Sequence, residues 1–82
     1  MIKIDTKKLK QTYGKRLKAI RLQRKISLTQ ISEETNIKKK RYLRIENGKS
    51  LATVPEMTAI SLYLNVKNHY LCGLCDEFQT LN

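Results

Sequence analysis

The sequence predicts an all-α fold, a single domain of five short helices. Three observations carry this. Apolar residues recur at helical spacing with almost no alternation, helix-opening residues stand ahead of the apolar runs, and Asn or Gly stops follow them. Eighty-two residues bury only a thin core, so an oligomer would add stability.

Leu9, Tyr13, Leu17 and Ile20, at i, i+4, i+8 and i+11, form the apolar face of a first helix ending near Arg24. The basic stretch ahead of it (Lys3, Lys7, Lys8, Lys10) reads as a disordered tail, an arm or a helix extension; Leu9 in phase with Tyr13 favours extension, with Asp5 as its cap. Ser27 and Gln30 have capping-box spacing and open a second helix whose inward face is Leu28, Ile31, Ser32 and Thr35. Asn36 suits the left-handed conformation that ends it. The third helix is expected from Lys38 to Asn47, stopped by Gly48. Thr53 and Glu56 make a second capping box, with Pro55 in the first turn, for a fourth helix burying Val54, Met57, Ile60 and Leu64. A fifth begins near Asn68 and presents Tyr70, Leu71, Leu74 and Phe78.

Charge is unevenly distributed. The net charge is +10, yet sixteen of the seventeen Lys and Arg residues lie in residues 1–49, with four of the seven acids. A basic half joined to a slightly acidic, apolar half implies one polyanion-binding face. No apolar run approaches a transmembrane span and no secretory segment is visible, so no membrane partner is expected. Two cysteines without a signal peptide point to free thiols in a reducing cytoplasm.

The third helix holds the sharpest signal. Lys38, Lys39, Lys40 and Arg41 load its N-terminal end, where the dipole disfavours cations. At 100° per residue, Tyr42 and Ile45 face the core, while Lys40, Leu43, Arg44 and Asn47 point outward with Lys39 beside them. Charge runs are commonly solvated surface. Here, however, two helices joined by a short turn, the second basic on its outer face, make a helix-turn-helix arrangement, and its cations make sense with an external polyanion as neighbour. Leu43 either meets a thymine methyl or is an exposed leucine without a role.

The stretch from Tyr13 to Cys72 resembles the lambda-repressor-like family, the phage repressor/Cro or xenobiotic-response-element type of helix-turn-helix protein. The resemblance rests on Gly14-x-Arg16-Leu17, Ile20-Arg21, Ser27, and Ile45-Glu46-Asn47-Gly48-Lys49 taken together. It implies a five-helix domain that binds operator DNA as a dimer, with helix three in the major groove. It places Lys38, Lys39, Lys40 and Arg44 at base edges; Leu43 is set beside them only by its outward helical position. Ser27, Asn47 and Lys49 match phosphate positions, and Arg41 is expected on phosphate as well. Arg21 and Glu46 match a semi-buried ion pair tying helix one to the end of helix three. The sequence departs from the pattern in carrying Leu28 and Lys39 where relatives often have glutamine, and Lys38 where they have a Ser or Thr cap.

The expected organisation is a basic arm or helix-one extension over residues 1–11, a DNA-binding domain over 12–67, and a dimerising C-terminal helix over 68–82. The dimer surface is expected to use Leu62, Tyr63, Tyr70, Leu74 and Phe78. The expected function is a sequence-specific, repressor-like regulator; the alternative is a protein-interaction module on the same fold, such as an antitoxin or repressor partner. Cys72-Gly73-Leu74-Cys75 with His69 gives three metal ligands at best from one chain, so a zinc site would need four thiolates across a dimer axis, and Cys72 reads more simply as a small core residue. No metal, cofactor or small-molecule ligand is expected. Nor is an enzyme: the sequence shows no Ser/His/Asp set, no paired carboxylates, no phosphate loop and one histidine.

Overall fold

The computed structural model describes residues 5–74. They form five helices and no strand: α1 (Thr6–Gln23), α2 (Leu28–Thr35), α3 (Lys39–Glu46), α4 (Val54–Leu64) and α5 (Asn68–Leu71). No helix among the described residues is long and apolar enough to cross a membrane.

The helix starts follow local chemistry. The Asp5 carboxylate accepts from the Lys8 amide at 3.1 Å, and the Ser27 hydroxyl accepts from the Gln30 amide at 3.0 Å. Thr53 and Glu56 close a reciprocal capping box, the Glu56 carboxylate accepting from the Thr53 amide at 2.8 Å. The ends share one device. Lys25, Asn36, Gly48, Asn65 and Gly73 follow the five helices in turn, and all have positive φ. At α1, α3 and α5 the paired bonds of a Schellman turn are present, for example Lys49 N–H to the Arg44 carbonyl at 2.9 Å beside Gly48 N–H to the Ile45 carbonyl at 3.1 Å.

The core is built from the inward faces of these helices: Tyr13, Leu17, Ile20, Ile31, Tyr42, Ile45, Ile60, Leu64 and Leu71, closed by Ile37, Ala52 and Val66 from the connections. α1 packs on α3 and α5, while α2 packs on α3 and α4. Gly14 sets the closest approach, because a Cβ there would stand 2.5 Å from the Glu46 carbonyl oxygen and 2.7 Å from that of Ile45. The end of α3 therefore rests directly on the α1 backbone.

Two expectations need correction. Val54 is not buried. As the first residue of α4 it overhangs the core and is 76 % exposed, whereas Met57, Ile60 and Leu64 face inward as expected. The fifth helix does not present Tyr70 and Leu74 on a continuous stripe: it stops at Leu71, and Gly73 (φ +81°) turns the chain, with Leu74 N–H reaching back to the His69 carbonyl at 2.9 Å. Phe78 and Cys75 lie outside the described residues.

Candidate nucleic-acid interface

α2 and α3 are joined by residues 36–38, and α3 offers its outer face to solvent. Lys38 occupies the N-cap position of α3 in an extended conformation and makes no side-chain cap. Together with Lys39, Lys40, Arg44, Asn47 and Lys49 it is exposed, while Leu43 is half-buried. Lys40, Leu43, Arg44, Asn47 and Lys49 line one shallow cleft of about 340 Å³. The Arg44 Nε donates to the Ser50 hydroxyl at 3.3 Å, a bond that does not involve the two Nη groups. Ser27 sits at the start of α2; its oxygen accepts from Gln30, so its own proton remains available to an acceptor such as a phosphate. The face therefore presents cations and polar donors around one leucine, with no acid among its lining residues.

What holds this face in place is a pair of arginine forks, one at each end of α3. At the C-terminal end, Arg21 Nε donates to Glu46 Oε2 at 2.9 Å and Nη2 to Oε1 at 2.8 Å, while Nη1 donates to the Ile26 carbonyl at 3.0 Å. Both side chains are buried, the carboxylate almost completely. The bond to Glu46 raises the Arg21 pKa against a smaller burial penalty, so the cation persists. Tyr42 is buried nearby, and burial holds its phenol well above the ordinary range and therefore neutral. This is the ion pair that the resemblance implied at these two positions.

At the N-terminal end the structure differs from expectation. The Arg41 guanidinium does not point outward with its lysine neighbours. Its Nε donates to Glu56 Oε2 at 3.0 Å and Nη2 to Oε1 at 2.9 Å, and Nη2 also donates to the Leu51 carbonyl at 3.0 Å. Bidentate geometry with a carboxylate is the arrangement guanidinium satisfies best, and solvent covers only part of the pair. The Arg41 bonds and the capping-box bonds from Thr53 hold the Glu56 carboxyl down at about 2, against an opposing burial effect. Nothing in the local pattern announced this contact, because Glu56 is fifteen residues away and already had a role as a capping residue.

The expected dimer residues within the described region differ in exposure. Leu62 and Leu74 are 66 % and 74 % exposed. Tyr63 is half-buried against the core, and Tyr70 lies under the Arg16 guanidinium, 4.4 Å from ring centroid to cation, with its carbonyl accepting from Arg16 at 2.8 Å. Cys72 packs against the core, and burial pushes its thiol up. His69 is exposed. Among the described residues no group of three or more His, Cys, Asp or Glu could hold a metal ion.

In comparison with known families, the model of a family described as a helix-turn-helix domain matches residues 14–76, most of the chain. No curated protein sequence matches it significantly.

Proposed function

Because the chain belongs to the lambda-repressor-like, xenobiotic-response-element type of helix-turn-helix proteins, we propose that it is a sequence-specific regulator that binds duplex DNA by laying α3 in the major groove. The observation that carries the reading is the α3 face itself: an eight-residue helix, pinned by an arginine fork at either end, offers Lys39, Lys40 and Arg44 to solvent around half-buried Leu43. A helix fixed in this way loses little freedom on docking, and its cations stand where base edges and phosphates would be met.

The roles divide by chemistry. Arg44 forms the bidentate contact to a guanine edge, with Lys39 and Lys40 reaching adjacent bases and Lys38 the nearest one beyond. Leu43 supplies apolar contact for a thymine methyl at the centre of the cleft. Ser27, Asn47 and Lys49 grip phosphates and fix register without reading sequence. Arg41 takes no part in gripping phosphate, since its fork is satisfied by Glu56.

The regulator acts in the cytoplasm as a homodimer through its C-terminal third, where exposed Leu62 and Leu74 lie. Such a dimer spaces two α3 helices about 34–36 Å apart, one turn of DNA. Selection of bound sequences from a random duplex pool tests the function. A palindrome with half-sites one turn apart is the expected result, and failure to enrich any motif would contradict it. The interaction-module reading is favoured by one observation, an apolar groove of about 230 Å³ along α4 between Val54, Met57 and Leu62. It would take precedence if no duplex is bound.

A further inference from the structure

The family match begins at residue 14, but α1 begins at Thr6, so two further helical turns precede the matched region. Those turns are unusual in charge. Residues 5–13 carry Lys7, Lys8 and Lys10 against the one acid, Asp5, and the first turn of α1 holds cations with no acidic residue. The positive end of the helix dipole disfavours them. This is the same inversion that marks α3.

Helical phase puts part of that charge on the side of α1 that carries its contacts with α3. Lys7, Lys10, Gly14 and Arg21 fall on one side of α1 at 100° per residue. Gly14 rests on the Ile45 and Glu46 carbonyls, and Arg21 is bonded to Glu46, so this side faces α3. One turn further back, the α1 backbone abuts the turn after α3: a Cβ on Gly48 would stand 3.3 Å from the Gln11 Cα and 3.6 Å from the Lys10 carbonyl oxygen. Lys49 is the next residue. The helix then continues past this contact, and at 1.5 Å per residue Lys7 stands about 10 Å beyond Gly14 along the axis, roughly three base-pair steps. Lys7 is exposed and Lys10 half-buried.

We propose that the N-terminal turns of α1 form a second phosphate-binding ridge, in which Lys7 and Lys10 continue the line of Lys49 and hold duplex backbone outside the base pairs that α3 reads. The inference rests on the duplex-binding reading of α3. Its ligand is the phosphodiester chain, recognised by charge and not by sequence, so it lengthens the footprint without adding specificity.

The test uses the full chain, a Lys7→Gln/Lys10→Gln variant, a Lys7→Gln variant that leaves the half-buried position intact, and a charge-matched Lys15→Gln/Lys67→Gln control. Affinity for a duplex carrying the selected motif is measured across a potassium chloride series, with flanks trimmed one base pair at a time. The double variant should flatten the slope of log K against log salt by about 0.9 per lost contact, and the single variant by about half as much. Both should weaken cognate and random duplexes by the same factor. Trimming the outer flanks should weaken the wild type and the control but not the double variant. A double variant that keeps the wild-type slope and flank dependence, while Arg44 substitution still alters base preference, overturns the ridge alone. A wild-type chain that binds no duplex overturns the ridge together with the reading beneath it.

Discussion

The Arg41–Glu56 fork allows the clearest separation of structural from DNA-contacting cations on α3. The perturbations are Arg41→Ala, Glu56→Gln and the two combined; glutamine keeps the capping box with Thr53 while removing the charge. A carboxyl held at about 2 instead of an ordinary 4.5 corresponds to at most about 3 kcal/mol. Thr53 shares in that effect and the Arg41 side chain is a third exposed, so screening leaves an expected coupling of about 1–2 kcal/mol. The folded-state pKa lies below the unfolded one, so this stability is complete above roughly pH 4.5 and is lost as the pH falls toward 2. Urea unfolding of the four proteins at pH 7 and pH 2 measures it as a double-mutant cycle. The coupling should be present at pH 7 and mostly gone at pH 2. Coupling below about 0.3 kcal/mol at pH 7, or coupling indifferent to pH, would refute a stabilising Arg41–Glu56 fork. A second readout bears on function: Arg41→Ala should leave the salt slope of DNA binding unchanged. A slope reduced by about one unit would show that Arg41 leaves Glu56 for a phosphate.

Gly14→Ala places a methyl against the backbone carbonyls of Ile45 and Glu46, atoms that cannot rotate away. It should cost at least about 2 kcal/mol in urea unfolding, and a variant within about 0.5 kcal/mol of wild type would contradict the close approach. Arg21→Ala leaves Glu46 buried and unpaired and should cost about 3–5 kcal/mol. The apolar pair Arg21→Met/Glu46→Leu should recover much of that stability, and equal destabilisation of the two variants would show that the cost is packing and not charge.

The parts of this fold legible in the sequence are those decided within four residues of chain. Asp5, Ser27 and Thr53 cap the helices they precede because each side chain bonds an amide three residues on. Asn36 and Gly48 end helices because their backbones tolerate positive φ. The left-handed Lys25 gave no such signal, since lysine has no preference for that conformation. Val54 misled because the periodicity that assigns a face says nothing about where a helix overhangs its core. The stripe of Tyr70, Leu74 and Phe78 ignored Gly73, a glycine in the middle of the pattern that could have been read as a stop. The Arg21–Glu46 pair was legible through resemblance alone, and Arg41–Glu56 not at all. Such a contact depends on how α3 and α4 are set against each other, which propensity does not encode.

The most direct measurement of the central claim compares wild type with Arg44→Ala on the selected duplex and on random duplex, both proteins verified as folded by circular dichroism. Arg44 is exposed on the α3 face, with a single hydrogen bond of 3.3 Å to Ser50, so its loss should leave the fold intact. If α3 reads bases, Arg44→Ala costs about 1–3 kcal/mol on the selected site and relaxes preference at one base pair, while random duplex is bound only slightly less well. Equal weakening on both duplexes would mean that α3 grips DNA without reading it, and the claim of sequence-specific recognition would fall.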